Sequence, residues 1–210
     1  MARVSRRPAL KSLREAARGC RACPLWKNAT QTVFGAGPAR ARIVLVGEQP
    51  GDQEDRIGLP FIGPAGRMLD KALQQAGIER SNLYVTNAVK HFKFLLRGKR
   101  RMHQKPTDAE IAACHRWLEN EIASIRPQLI VAMGATAARS VFGRTMRVEA
   151  NRGRIMPPDS HPHAADVLIT VHPSYLLRVP DPDRADAFRR FVRDLRRVRA
   201  YVAKPPTGKV

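Results

Sequence analysis

The sequence is short of acidic residues and of aromatics. Its 210 residues carry 18 Asp plus Glu against 38 Lys plus Arg, a formal charge of +20 at pH 7. A surplus of that size points to a polyanionic partner and says nothing about fold. Aromatic residues are 6% of the chain, too few for a protein that coats single strands by stacking side chains on successive bases. No apolar run approaches the roughly 18 residues of a membrane span. The opening MARVSRRPALKSL lacks the apolar centre of a signal peptide. The expectation is a cytosolic protein that follows DNA and does not meet a membrane. Three cysteines cannot all pair with one another, which argues against a disulfide scaffold and leaves a metal or cluster site open. There is no internal repeat, second domain or Gly-rich phosphate fingerprint. The length suits one domain spanning 1–210, a monomer, with residues 1–7 and 203–210 as flexible tails.

What is present is organised around Arg42 to Leu69, RIVLVGEQPGDQEDRIGLPFIGPAGRML. An apolar run, Ile43 to Val46, stops at Gly47, and Pro50-Gly51 is a turn dipeptide. Glu48, Gln49 and Asp52 therefore sit where a strand delivers its loop, the edge at which open α/β sheets bind ligands. The loop runs through Glu54 and Asp55 to Pro60-Phe61-Ile62-Gly63, and Pro64 opens a helix. Phe61, held between a proline and glycines, is placed to stack on a flat ligand.

Three more strands follow the same pattern. Leu83 to Val89 carries Asn87 at its hand-over point, Gln128 to Met133 ends at Gly134, and Val167 to Val171 ends at His172-Pro173. A carboxamide at a strand end can both donate to and accept from the edge of a heterocycle. A histidine fixed there by a proline can donate to a developing negative charge. Four strands alternating with helices predict a three-layer α/β/α sandwich around a central four-stranded, mostly parallel sheet. Thr107 stands three residues before Glu110 and predicts a capped helix running to Arg126. That helix carries Cys114. Cys20-Arg-Ala-Cys23-Pro24 is a turn that lets two thiolates converge, on zinc or on iron–sulfur; a redox dithiol is disfavoured because no strand precedes it. Phe92 to Pro106 is strongly basic, without helical or strand period, and reads as a loop lying on phosphates. Arg144 to Ala165 reads as irregular with a possible strand pair, its His161 and His163 on the surface.

Taken together, these segments resemble the iron–sulfur uracil-DNA glycosylases. GEQPG followed by DRIGLPFIGPAG resembles the first family motif, in which GE-x-PG precedes D-x-x-G-x-PFVG-x-AG. TNAVKH resembles TN-x-VK followed by a cluster-ligating cysteine, whose place His91 takes, and HPSYLLR resembles the last motif. Gln49 in the variable place, and Lys99-Arg100-Arg101-Met102-His103 beside the KRR-I-H loop, resemble the UdgX branch. The resemblance implies a [4Fe-4S] cluster on Cys20, Cys23, Cys114 and His91, a Cys3His set that could equally hold structural zinc. It implies uracil-containing DNA, single- or double-stranded, as substrate. Phe61 would stack on the base, Asn87 read its edge and His172 stabilise the departing anion. His103, helped by Glu48, would capture the sugar and leave a protein–DNA adduct. Gln49 and Asp52 would shape the site, while Lys99, Arg100, Arg101, Ser174 and Arg178 meet the DNA. Two other readings stay open: a glycosylase that turns over with water, and a non-catalytic DNA-binding module.

Overall fold

The computed structural model describes residues 9–203; of the expected tails, 1–7 and 203–210, all but Ala203 lie outside the described residues, and Ala203 ends the last helix rather than starting a tail. Helix α1 (Leu10–Arg18) precedes β1 (Ile43–Gly47), α2 (Asp52–Ile57), α3 (Pro64–Ala76) and β2 (Leu83–Asn87). A hairpin of β3 (Phe94–Arg97) and β4 (Arg100–His103) leads to α4 (Asp108–Ile125). Then come β5 (Leu129–Met133), α5 (Ala135–Phe142), α6 (Val148–Asn151), β6 (Ile155–Met156), β7 (Asp166–Thr170), α7 (Pro173–Leu176) and α8 (Arg184–Ala203).

The central sheet has the order β2-β1-β5-β7-β6. The first four strands are parallel and β6 runs antiparallel to β7. The expected sheet of four strands is therefore corrected to five. The fifth, Ile155–Met156, is two residues on an edge, too short to show a period of its own. The chain leaves β1 for β2 on one side and then crosses to β5 on the other, so the crevice at the carboxyl end of β1 is a topological switch point.

Alternation along the strands divides the core in two. Leu45, Val85, Val131 and Leu168 face α3 and α8, where Leu69, Leu73, Phe191 and Leu195 meet them. Val44, Tyr84, Ile130 and Ile169 face α4 and α5, against Leu118, Ile122 and Val141. Both faces of each parallel strand are covered, which is why these strands read as continuous apolar runs. Helix α4 begins as its sequence predicts: Thr107 Oγ1 accepts from Glu110 N (3.3 Å), and Thr107 N donates to Glu110 Oε2 (2.6 Å).

A buried charge network underlies the second layer. Lys90 Nζ donates to Glu121 Oε2 (2.5 Å), Thr86 Oγ1 (2.6 Å) and the Asn87 carbonyl (2.8 Å). Glu121 Oε1 also accepts from Tyr84 OH and Gly35 N. Both charged side chains are wholly buried, so removing either would strand the other without solvent. His161 and His163 depart from the surface expectation: His163 is buried and His161 half-buried against Phe142.

The basic segment is an ordered hairpin rather than a loop. Leu95 pairs with Met102 and Arg97 with Arg100, and Gly98 takes φ 58° at the first position of the two-residue turn. A positive φ at that position matches the right-handed twist of the strands and favours glycine. The Glu54–Asp55 loop likewise folds as α2. Among the described residues, no helix is long and apolar enough to cross a membrane.

Candidate active site

The strand ends and the hairpin enclose a cleft of about 830 Å³. Glu48, Gln49, Phe61, Asn87, His103, His172, Ser174 and Arg178 all line it.

Phe61 sits at φ 56°, a left-handed conformation that a non-glycine residue adopts only when its surroundings impose it. Two side chains do so. Glu54 Oε1 accepts from Ile62 N (3.0 Å) and Gly63 N (2.7 Å), while Arg80 Nη2 donates to the carbonyls of Pro60 (3.2 Å) and Phe61 (3.1 Å). The ring then lies against the end of β1. A Cβ added to Gly47 would stand 2.4 Å from both Phe61 Cζ and Asn87 Oδ1. The missing side chain of Gly47 is therefore what lets ring and carboxamide share one end of the cleft. Asn87 Oδ1 is buried without a hydrogen-bond partner among the described residues, an acceptor that a ligand donor would satisfy.

His172 follows β7, and its ring centroid is 5.8 Å from that of Phe61. Its Nδ1 accepts from Ser174 N (3.2 Å) and lies 2.8 Å from Ser174 Oγ. A backbone N–H can only donate, so the neutral ring carries its proton on Nε2. That Nε2 is buried and has no partner among the described residues. Burial pushes the imidazole down to about 4 against the pull of Glu48, so the ring is a neutral donor aimed into the cleft.

Glu48 spans to the hairpin. Its Oε1 lies 3.1 Å from His103 Nε2, and its Oε2 accepts from Thr136 Oγ1 (2.6 Å). Burial would raise its carboxyl, but the hydrogen bonds from His103 and Thr136 outweigh that and hold it below the usual value.

The hairpin is pinned by residues from the first loop. Gln49 Nε2 donates to the carbonyls of Gln104 (2.8 Å) and Lys93 (3.3 Å), and its Oε1 accepts from Lys93 N (3.0 Å). Gln49 thus spends its amide on the two strands of the hairpin base. Arg101 is predicted from sequence to meet DNA, yet its side chain is 11% exposed and held by carboxylates. It binds Asp55 Oδ2 (2.6 Å) and Asp52 Oδ1, and its guanidinium lies over Phe92 and Phe94. Asp52 is expected at the base and sugar, but it pairs with Arg101 and Arg56 outside the cleft lining. The reason in both cases is α2, which turns Asp52 and Asp55 toward the hairpin. Lys99 and Arg100 lie exposed at its tip.

Cys20, Cys23 and Cys114 are free and gather in one cluster with Leu13, Phe34 and Trp117. Donors point at the sulfurs: Trp117 Nε1 (3.2 Å) and Arg116 Nη2 (4.0 Å) to Cys20, and Lys90 N to Cys114 (3.2 Å). Burial pushes the Cys114 thiol up to about 11. Two buried thiols and the half-buried Cys23, with N–H donors at two of the sulfurs, are the donor chemistry of a thiolate-held cluster. His91, the residue after Lys90, is buried, and its Nε2 lies 2.9 Å from Thr32 Oγ1. Among the described residues, no group of three or more His, Cys, Asp or Glu is arranged to hold a metal ion.

The sequence profile described as the Uracil DNA glycosylase superfamily matches residues 34–196. The chain is 37% identical over 202 residues to a Type-4 uracil-DNA glycosylase of Thermotoga maritima, covering 95% of this chain and 98% of that one. Type-4 uracil-DNA glycosylases of Pyrobaculum aerophilum (30% identical; 81% of this chain, 86% of the relative) and Archaeoglobus fulgidus (32%; 77% and 79%) are also similar. The chain belongs to the uracil-DNA glycosylase superfamily.

In this superfamily member, several residues that position the site went unread in the sequence. Glu54, Asp55, Arg80 and Thr136 act through backbone amides, carbonyls or another side chain. For Glu54 and Asp55 the available signal was carboxylate density in the first loop, which taken alone suits a solvated rim equally well; Arg80 and Thr136 carried no local signal.

Proposed function

We propose that the protein excises uracil from DNA and is then captured by its own product through His103. The carrying observation is the Glu48–His103 pair, 3.1 Å apart, lining the same cleft as Phe61, Asn87 and His172. Similarity to Type-4 uracil-DNA glycosylases supports the excision half. The UdgX-like hairpin sequence supports the capture half.

The base must leave the stack, at least cost from single-stranded or weakly paired DNA. Phe61 covers its face, and Asn87 Oδ1 accepts from N3–H. As the bond from the anomeric carbon to N1 breaks, its electron pair leaves with uracil, and His172 Nε2–H donates to O2 of the anion. The sugar becomes an oxocarbenium ion. Glu48 takes the imidazole proton while the ring nitrogen of His103 bonds to the anomeric carbon. Charge and atoms balance: the products are uracil anion, a protonated Glu48 and an N-alkylated histidine.

Cys20, Cys23 and Cys114, with His91 as fourth ligand, would hold a [4Fe-4S] cluster. When bound, it supplies a cross-link between the N-terminal turn, α4 and the segment after β2. Anaerobically prepared protein should hold about four irons and four sulfides per chain; stoichiometric zinc without iron would count against the assignment.

The test of function is a denaturing gel after incubation with a uracil-containing oligonucleotide. Wild type should give a one-to-one adduct stable to heat and detergent, and His103→Ser should release uracil without one. Multiple turnovers by the wild type without an adduct would leave a water-using glycosylase, and no release at all would leave a binding module.

A further inference from the structure

Beside the cleft, where α6 meets α8, lies a second hollow of about 230 Å³ walled by Arg152, Arg190, Arg193, Arg197 and Asp194. Its floor is built and buried. Arg152 donates to Asp194 Oδ2 through Nε (3.1 Å) and Nη2 (2.8 Å), and Thr170 Oγ1 donates to the same oxygen (2.7 Å). The two side chains of that pair are 8% and 7% exposed. The rim comes from α8, where positions 190, 193 and 197 share one helical face.

The positive charges there exceed their partners. Glu149 takes one contact each from Arg152 (3.2 Å) and Arg190 (3.0 Å). Among the described residues, Arg197 Nη1 donates only to a neutral carbonyl, Gly153 O (2.8 Å). Arg193 is exposed and has no hydrogen bond or ion pair among the described residues. Four guanidiniums thus face two carboxylates, and donors of Arg190, Arg193 and Arg197 stay open toward the hollow. Like charges held together repel unless an anion sits among them. A guanidinium fork matches the geometry of phosphate oxygens.

Arg190 lines both the hollow and the cleft. We propose that the hollow binds a backbone phosphate of the DNA strand whose uracil enters the cleft. This fixes the side on which the strand leaves the site: along α8, away from the Lys99–Arg100 hairpin tip. The inference rests on reading the cleft as the uracil site.

The test is equilibrium binding of a single-stranded oligonucleotide carrying a non-cleavable uracil analogue, measured across salt concentrations. Each lost phosphate contact lowers the slope of log K against log salt by about 0.7 for single strands, about fivefold in affinity at 0.1 M salt. Arg193→Gln should show that loss. Lys11→Gln removes the same charge from exposed α1, on the far layer of the sandwich, and should not. Neutral methylphosphonates placed singly near the uracil analogue should identify one linkage that weakens wild type and has no effect on Arg193→Gln. Equal slopes for Arg193→Gln, Lys11→Gln and wild type in a protein that still excises uracil would overturn this inference alone. A wild type that binds no uracil-containing DNA would overturn it together with the proposed function.

Discussion

One wall of the cleft, with Gly47, Asn87 and His172, grows from the ends of parallel strands whose residues are almost all buried. The opposite wall, with His103, is a hairpin of four residues per strand that is mostly exposed. The strand-end wall is held by the core itself, and among the described residues it leaves Asn87 Oδ1 and His172 Nε2 unpartnered, as groups kept for a ligand. The hairpin wall has little core of its own. It is held by three pins from the first loop: Gln49 on its backbone, Asp52 and Asp55 on Arg101, and Glu48 on His103. The difference separates two tasks. Breaking the glycosidic bond needs the rigid wall, while capturing the sugar needs the pinned one. A lesion in the first should remove both outcomes, and a lesion in the second should remove only capture.

Gly47→Ala is the severest break. Its Cβ would fall 2.4 Å from Asn87 Oδ1 and Phe61 Cζ, and β1, central and paired on both sides, cannot retreat. A displacement of about 1 Å in a positioned group costs on the order of 10²-fold in rate. Uracil release and adduct formation should fall together by about that factor or more, with circular dichroism unchanged. An adduct formed at wild-type rate would show that the two walls are not divided in this way.

Arg101→Gln sharpens the comparison from the other side. It removes the charge that Asp52 and Asp55 share and loosens the hairpin two residues before His103. Adduct formation should slow roughly tenfold, from a smaller misplacement of the nucleophile, while uracil release changes by less than about twofold. The readout is single-turnover kinetics with release and crosslinking followed separately. Equal losses in both would mean that the hairpin also orders the base-binding wall.

The two walls were also unequally legible in the sequence. Asn87 and His172 stand where mainly apolar runs end, just past Thr86 and Thr170, and a strand buried on both faces shows its end where the apolar run gives out. The parallel sheet and its layers followed from the same signal. The hairpin carried no such mark, because Phe94, Leu95 and Leu96 are consecutive apolar residues rather than alternating ones. Its order comes from contacts 44 to 55 residues away in the chain, which no local window contains. Arg101 shows the consequence: composition groups it with Lys99 and Arg100, but Asp55, buried within a six-residue helix, makes it a strut. The Gly98-Lys99 turn was the available clue, since a two-residue loop with glycine first marks a hairpin.

The smallest expected effect is a flat line. If His172 acts as a neutral donor and Glu48 as a carboxylate, uracil release should not follow an ordinary histidine. Burial pushes His172 down to about 4. Glu48 is held below 4.5 because hydrogen bonds from His103 and Thr136 overcome the cost of burial. From pH 8 to about 5, neither group changes charge, so release should stay level; it should fall only as pH drops through about 4, where His172 gains a proton. Stability moves in the same direction. The unfolded chain protonates this histidine near 6.5 and the folded one near 4. Between those values the unfolded state binds more protons, and stability declines as pH falls. Release rates therefore have to be taken on samples whose fold is checked by circular dichroism at each pH. A half-maximal rate near pH 6.5 in folded protein would assign an unperturbed imidazole to the excision step, and the neutral-donor role of His172 would fail while the hairpin's capture role stood.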